Sequence, residues 1–321
     1  MDNQRRVIAL GFFDGVHLGH GALLRRVAER ARALGAVPCA FTFDQSPAAA
    51  LTGREVPLLT GVDDRARLME ALYGIQEVIV APFALMRDMD WRDFIGDYLR
   101  QRHGAVHVVA GHDFHFGRGG EGNPRRLAEE CARLGLGCDI IPRVELDGVT
   151  VSSTHIRGLV ERGEMEEANR FLGHPFTLSG PVVHGNEIGR TLGTPTANLL
   201  IPPGVIAPGF GVYAARVWVL PVRPDNHEPP GPRHLPGEGP YLAVANVGVR
   251  PTVNAEGTGV TVEPWILDFE GDLYGRILRL ELYKRLRPER KFDCVDALRA
   301  AILENAAQTR AYFAERGQGP C

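Results

Sequence analysis

The feature that most limits how this chain can fold is a glycine-punctuated segment near its amino terminus, with the sequence GFFDGVHLGH over residues 11–20. A short apolar run rich in β-branched residues precedes it at residues 7–10, and apolar residues then recur at helical spacing over residues 23–34. The segment is therefore predicted to be a turn that joins a strand to a helix.

This turn has the properties of a phosphate site. Unpaired backbone N–H groups at a helix start favour a phosphate, and glycines let a nucleotide approach the backbone without interference from a Cβ atom. His17 and His20 lie three residues apart at the helix start, where both imidazoles could donate to triphosphate oxygens and stabilise charge that develops during attack on phosphorus. Taken alone, the tetrapeptide HLGH is more often a pair of solvated surface histidines.

The rest of the first half alternates between strand and helix patterns. Strands are predicted over residues 37–43, 77–80 and 106–110, and helices over residues 63–74 and 90–99. This alternation predicts an α/β fold, with a doubly wound, mostly parallel sheet covered on both faces. Ligands of such sheets bind at the carboxyl ends of the strands.

Polar segments follow the predicted strands at that edge. They are residues 41–47, residues 111–123 and a later segment, VSSTHIR, at residues 151–157. Ser153 and Thr154 are suited to cap a helix there, and Arg157, one turn later, would face the same anion as the free N–H groups. Helix capping alone is the simpler interpretation of this last segment.

The pattern changes after Gly173, where His174 and Pro175 end a predicted helix over residues 161–171. Five strands separated by glycine and proline turns then predict a small antiparallel β-barrel, followed by a carboxyl-terminal helix over residues 294–313. The predicted strands are residues 176–183, 211–220, 241–247, 261–267 and 276–286. Two domains are expected, residues 1–173 and residues 174–321.

The chemistry predicted for the second half lies in residues 184–198 and 261–269. The hydroxyl of Thr196 and the side-chain carbonyl of Asn198 are hard oxygen ligands suited to Mg²⁺. Glu263, on a predicted strand, is a candidate general base for a hydroxyl nucleophile. A solvent-facing strand residue is the alternative for Glu263, and a simple turn is the alternative for the PTAN segment that contains Thr196.

Composition excludes several classes of partner. The 321-residue chain has a net charge of −3, which provides no overall basic field for nucleic acid. Its five cysteines are scattered and lack metal-ligand spacing, and no apolar run reaches the length of a membrane span. We expect a cytoplasmic protein that acts on small molecules, without a nucleic-acid or membrane partner. The oligomeric state stays open.

The opening segment resembles the signature of the HxGH nucleotidyltransferases, and residues 7–173 resemble the adenylyltransferase half of the bacterial bifunctional riboflavin kinase/FAD synthetase family. Besides the opening segment, the resemblance includes FTFD at residues 41–44, GHDFHFG at residues 111–117 and SSTHIR at residues 152–157. It implies roles for His17, His20 and Arg157 in catalysis, for Gly11, Phe12, Asp14, Gly19, Ser153 and Thr154 in ATP binding, and for Asp113, Phe114 and Asn123 in flavin binding.

Residues 176–313 resemble the riboflavin kinase domain of the same family, through GRTLGTPTAN at residues 189–198, NVGVRPT at residues 246–252 and DFEGDLYG at residues 268–275. The resemblance implies that Thr196 and Asn198 bind Mg²⁺ and that Glu263 takes the proton from the ribityl 5′-hydroxyl. The implied ATP contacts are Gly185, Gly189, Arg190, Thr196 and Asn198, and Arg287 is an implied flavin contact.

The implied function is two ATP-dependent steps, from riboflavin to FMN and from FMN to FAD with release of pyrophosphate. The chain departs from the family pattern at Ser46, where a histidine is usual, at His155, where an arginine is usual, and at Thr194, where a phenylalanine is usual. Two alternatives are a flavin- or nucleotide-binding homologue with one activity or none, and an adenylyltransferase that acts on pantetheine phosphate or nicotinamide mononucleotide. The latter leaves the second half unexplained.

Overall fold

A computed structural model of the chain describes residues 4–183, 196–220, 238–249 and 260–317. These residues form two compact units. The first holds residues 4–58 and 65–153, and the second holds residues 59–64 and the described residues from 154 onward. Four of the residues discussed above, Gly185, Gly189, Arg190 and Thr194, lie outside the described residues.

The first unit contains a five-stranded parallel sheet with strand order β3-β2-β1-β4-β5. Its strands are β1 (Arg6–Leu10), β2 (Val37–Phe43), β3 (Glu77–Ala81), β4 (Ala105–Gly111) and β5 (Gly137–Ile141), and a short hairpin follows, β6 (Glu145–Leu146) with β7 (Val149–Thr150). The helices along this part of the chain are α1 (Leu18–Leu34), α2 (Pro47–Thr52), α3 (Val62–Tyr73), α4 (Phe83–Met86), α5 (Trp91–Asp93), which continues as a π-helix over Phe94–Arg102, and α6 (Pro124–Leu134).

Strand β1 lies at the centre of this sheet, and all five of its residues are buried. Val7 packs with the α1 side chains around Val27 on one face, whereas Ile8 packs with Ile95 on the other. Successive strand side chains point to opposite faces, so a strand covered by helices on both sides must be apolar throughout. The predicted doubly wound parallel sheet is confirmed, and the carboxyl end of β1 lies between those of β2 and β4.

The second unit is built on a closed antiparallel barrel with strand order β10-β11-β12-β9-β8-β13. Its strands are β8 (Phe176–Val183), β9 (Asn198–Leu199), β10 (Gly211–Leu220), β11 (Glu238–Val249), β12 (Val260–Ile266) and β13 (Ile277–Arg287). Its helices are α7 (Ser153–Arg162), of which Ser153 belongs to the first unit, α8 (Met165–Leu172) and α9 (Val295–Ala314). The predicted barrel and terminal helix are confirmed. The two-residue strand β9 was not predicted, because it is too short to show alternation.

The predicted helix over residues 161–171 is wrong in one respect, since the chain forms two helices there. Gly163 interrupts them with a φ of +72°, and a Cβ at this position would lie 2.7 Å from the hydroxyl oxygen of Tyr213. Only glycine tolerates both the conformation and the close approach. Gly173 ends α8 as predicted, in a left-handed conformation with its N–H donating to the carbonyl of Asn169.

Candidate functional site

The opening loop, residues 11–17, connects β1 to α1 and has an unusual backbone. Phe13 has a φ of +58°, Gly15 of +80° and Val16 of +44°, although Val16 is β-branched and fully buried. The Val16 N–H donates to the carbonyl of Phe13 at 3.0 Å. Non-glycine residues in this region cost about 1–3 kcal/mol each and persist where the surroundings impose them, often at functional sites.

The loop ends by bringing the two predicted histidines together. His17 is the N-cap of α1, and its Nδ1 accepts the backbone N–H of His20 at 3.3 Å. The two rings stack with their centroids 3.6 Å apart and their planes at 12°. Because Nδ1 of His17 accepts, a neutral His17 carries its proton on Nε2 and is a donor at that atom.

The surroundings of His20 favour its uncharged form. Burial, followed by the nearby positive charges of His17 and Arg65, lowers the pKa of His20 well below its usual range. Its ring contacts Phe13 edge-on, with centroids 5.2 Å apart. Its Nδ1 is buried and has no hydrogen-bond partner among the described residues. A buried polar atom of this kind is one that a ligand could satisfy.

Four other predicted residues support this loop. The Gly11 N–H donates to the carbonyl of Phe41 at 3.2 Å, which ties the loop to β2. Asp14 is buried, and its carbonyl accepts from the hydroxyl of Ser153 at 2.9 Å. A Cβ on Gly19 would lie 3.1 Å from the His17 ring, so glycine allows the imidazole to fit against α1. Ser153 is the first residue of α7, and its hydroxyl hydrogen bond ties the start of that helix to the loop.

The remaining two residues of the predicted anion segment, Thr154 and Arg157, belong to the second unit. Within that unit the Arg157 guanidinium donates to the Thr154 hydroxyl at 3.2 Å. His155, the departure from the family pattern, packs its ring edge against Phe171 with centroids 4.6 Å apart.

The predicted flavin residues of the first half follow β4 at the carboxyl edge of the sheet. The Asp113 side chain is 80% exposed, while Phe114 is half-buried and stacks on Phe116 with centroids 5.4 Å apart. Asn123 is the N-cap of α6, and its side-chain oxygen accepts the Arg126 N–H at 3.0 Å. The structure therefore gives the side-chain oxygen of Asn123 a capping role.

Sequence reasoning missed two residues behind the opening loop, Thr42 and Arg65. The Thr42 hydroxyl donates to the carbonyl of Phe12 at 2.8 Å, and Arg65 donates to the same hydroxyl at 3.1 Å. Arg65 is 1% exposed, and burial lowers its pKa to about 10 although the carboxylate of Asp14 opposes that shift. The signal was an arginine on the apolar stripe of α3, in register with Leu68.

In the second unit, strand register brings the predicted kinase residues together. Thr196 pairs with Trp265 and Leu199 pairs with Val262, so Asn198 lies directly opposite Glu263. Cβ atoms of directly opposite residues are about 4.5–5.5 Å apart. Thr196 and Asn198 are two residues apart and share a face of the sheet. Sequence alone could not show this pairing, because it depends on the unpredicted strand β9.

A third strand extends this row. Asn246 of β11 pairs with Glu263 from the other side, so that Asn198, Glu263 and Asn246 form one row across β9, β12 and β11, here called the barrel row. Asn246 is the first residue of the NVGVRPT motif, but it was not predicted as a site residue. Its signal is an amide in an otherwise apolar strand. Hydroxyl, amide and carboxylate oxygens are the ligands that Mg²⁺ prefers, so the row and Thr196 fit a magnesium–nucleotide complex.

Mg²⁺ in such sites usually takes few protein ligands and several phosphate or water oxygens. No cluster of three or more His, Cys, Asp or Glu side chains that could hold a metal ion occurs among the residues that the structure describes.

Arg287, the predicted flavin residue of the second half, is the last residue of β13. Its guanidinium carbon lies 5.3 Å from the centroid of the Phe292 ring, and burial lowers the pKa of the side chain. A Cβ on Gly248 would lie 2.5 Å from Oε1 of Glu289. The segment that contains Arg287 and Glu289 therefore passes beside β11, two residues from Asn246.

Comparisons with known proteins agree with the two halves of the chain. A family model for FAD synthetase matches residues 1–155, and one for riboflavin kinase matches residues 172–313. Bifunctional riboflavin kinase/FMN adenylyltransferases from Listeria monocytogenes and Pseudomonas fluorescens are each 35% identical to this chain, over 97% and 96% of its length and 93% of theirs. That from Escherichia coli K12 is 34% identical over 96% of this chain and 92% of its own length.

A crystal structure from Streptococcus pneumoniae, named as a macrolide-efflux protein, superimposes with a TM-score of 0.79 at 30% sequence identity and covers 97% of this chain and 95% of that one. None of the helices in the described part of this chain is long and apolar enough to span a membrane. Full-length relatives and both family models agree: this chain belongs to the family of bifunctional riboflavin kinase/FMN adenylyltransferases.

Proposed function

We propose that this chain is a transferase with two ATP-dependent activities, the phosphorylation of riboflavin to FMN by the second unit and the adenylylation of FMN to FAD by the first. The observation that carries the proposal is that each unit has its own candidate phosphate site. The first has the stacked pair His17 and His20, and the second has the directly paired Asn198 and Glu263.

In the kinase step, the Glu263 carboxylate accepts the proton of the ribityl 5′-hydroxyl, and the freed oxygen attacks the γ-phosphorus of ATP. The bond from the γ-phosphorus to the bridging oxygen breaks, and ADP leaves. Thr196 and Asn198 would hold Mg²⁺ together with the ATP phosphates. When bound, Mg²⁺ neutralises the negative charge of the phosphates. We assign phosphate contacts to Gly185, Gly189 and Arg190 from the sequence resemblance, and flavin contact to Arg287.

In the adenylylation step, a phosphate oxygen of FMN attacks the α-phosphorus of ATP, the bond from the α-phosphorus to the bridging oxygen breaks, and pyrophosphate leaves. FMN phosphate is already anionic, so this step needs no strong base. It needs donors, and His17 and His20 supply them beside the backbone of the opening loop. From the sequence resemblance we assign further phosphate contacts to Ser153, Thr154 and Arg157, and flavin contacts to Asp113, Phe114 and Asn123.

We also propose that the boundary between the two domains lies after Gly173. Gly173 ends α8, and β8 begins three residues later at Phe176. The reactants are the small molecules riboflavin, FMN and ATP.

The test is to incubate the purified chain with riboflavin, ATP and Mg²⁺ and to follow FMN and FAD by chromatography. We expect FMN to appear first and FAD to follow, with both lost when EDTA chelates the metal. FMN without FAD would leave only the kinase, and neither product would favour a binding homologue. A parallel assay with pantetheine phosphate should give no product.

A further inference from the structure

The structure places a buried arginine behind the opening loop, at a position where helix periodicity calls for an apolar residue. Arg65 is 1% exposed, and Leu68 and Met69 on the same face of α3 are buried as well. Burying a guanidinium is costly unless it is paired or hydrogen-bonded, so its contacts indicate what it supports.

Those contacts converge on Phe12. The Nη1 atom of Arg65 donates to Oγ1 of Thr42 at 3.1 Å, and Oγ1 of Thr42 donates to the Phe12 carbonyl at 2.8 Å. The guanidinium carbon also lies 4.2 Å from the centroid of the Phe12 ring. Phe12 is thus held at its carbonyl and at its ring, immediately before the left-handed Phe13.

The charge of Arg65 acts on the same site. Burial lowers the pKa of Arg65 and the buried Asp14 carboxylate opposes that shift, while the charge of Arg65 contributes to the lowered pKa of His20. Arg65 therefore lies close enough to influence both the loop carboxylate and one of the two imidazoles. Arg65 lies outside the motifs that carry the family resemblance.

We propose that Arg65 is a positioning residue for nucleotidyl transfer, which keeps the opening loop, and with it His17 and His20, in the geometry that receives phosphate oxygens. This inference rests on the proposed adenylyltransferase function of the first unit. Arg65 acts through Thr42 and Phe12 and is not assigned a contact with substrate.

The test compares Arg65→Met, Arg65→Lys and Thr42→Val with the control Arg30→Met. Arg30 is an arginine of α1 in the same unit, and it pairs with Asp139 at 2.7 Å away from the loop. We expect Arg65→Met to lower kcat for FAD formation from FMN about 100-fold, because small misplacements of a site have effects of that size. The KM values for ATP and FMN and the rate of FMN formation from riboflavin should change little.

The conservative variants separate positioning from simple folding. Arg65→Lys keeps the charge without the planar fork, so its kcat should be about tenfold above that of Arg65→Met. Thr42→Val removes only the hydroxyl relay and should lower kcat about tenfold. Imidazole NMR signals of His17 and His20 should shift in Arg65→Met and Thr42→Val, and stay in place in Arg30→Met.

Unchanged kcat and unchanged imidazole signals in Arg65→Lys and Thr42→Val would overturn the inference, even where Arg65→Met fails to fold. Parallel loss of FMN and FAD formation in all three variants would overturn it too, since it would indicate general unfolding. A wild-type chain that makes no FAD would contradict the proposed function instead. The imidazole shifts would still report whether Arg65 positions the loop.

Discussion

The two candidate phosphate sites differ in how the chain assembles them. In the first unit, one ten-residue stretch supplies both imidazoles, and the left-handed conformations of Phe13 and Val16 shape the turn that carries them. In the second unit, the polar side chains come from separate strands and meet because the barrel register places Asn198 and Asn246 on either side of Glu263. A local motif builds one site, and long-range pairing builds the other.

The chemistry of the two sites differs in the same way. His17 and His20 are donors, which suits a reaction whose nucleophile is already an anion. The barrel row contains a carboxylate and amide oxygens, which suits an alcohol nucleophile that must lose a proton beside a metal. If this comparison holds, single substitutions should remove either activity and spare the other.

The largest effect should come from Glu263→Gln, which keeps the shape of the side chain and removes its basicity. Loss of a general base lowers rates about 10²- to 10⁴-fold, so riboflavin phosphorylation should fall by that amount. Adenylylation should remain when FMN is supplied directly. Steady-state rates of FMN and FAD formation measure both, with Glu161→Gln, an exposed carboxylate of α7, as the matched control. Equal loss of both activities would break the comparison.

The converse substitution, His20→Ala, should lower FAD formation about 10²- to 10³-fold, the usual effect of losing one donor to developing charge. FMN formation should continue at the wild-type rate and FMN should accumulate. His103→Ala is the control, because His103 lies just before the amino end of β4, at the sheet edge away from the opening loop. Loss of FMN formation in His20→Ala would show that the two sites are not independent.

The residues of the first site were easier to predict from the sequence than those of the second, for a physical reason. His17 and His20 could be predicted to lie together because three residues on one helical turn fix their separation, and the structure stacks their rings. The parallel sheet and the barrel were likewise predictable, because strand and helix periodicity are local properties.

The sequence could not predict the register between the barrel strands, nor the residues that hold the opening loop in place. Asn246 shares the barrel row with Glu263 through pairing between strands, which no single-strand pattern encodes. Arg65 is 45 residues from His20 in a helix whose apolar stripe it interrupts, and only the fold brings its guanidinium to Phe12. The π-helix over Phe94–Arg102 is a further feature that the helical pattern of that segment did not distinguish from an α-helix.

A smaller effect should sharpen the description of the barrel row. Asn246→Ala removes an amide beside Glu263, and a hydrogen bond to a charged group contributes about 1.5–3 kcal/mol, which predicts a loss of about 10- to 100-fold in riboflavin phosphorylation. FAD formation from supplied FMN should not change. The control is Asn123→Ala in the other unit, which should leave FMN formation intact. Asn305 is not used as a control, because it is buried and its replacement would disturb packing. Wild-type kinase rates in Asn246→Ala would show that Asn246 takes no part in riboflavin phosphorylation.

The smallest predicted effect concerns pH and the stability of the first unit. Burial keeps the pKa of His20 well below its usual range in the folded chain, while the unfolded chain titrates near the ordinary value of about 6.5. Between those two values the unfolded state binds more protons, so stability rises with pH. The full contribution is present above about pH 6.5 and is lost as the pH falls toward the folded pKa, by up to about 1.4 kcal/mol for each pH unit.

Amide hydrogen exchange in α1 measures this loss, since it reports the opening free energy of that part of the fold. His20→Gln cannot titrate, so the opening free energy of its α1 amides should depend less steeply on pH below 6.5 than in the wild-type chain. Glu263→Gln should keep the wild-type slope, because its substitution lies in the other unit. Identical slopes for wild type and His20→Gln would mean that His20 is not held neutral by burial. A charged His20 would then donate from both ring nitrogens and would also attract phosphate through its net charge.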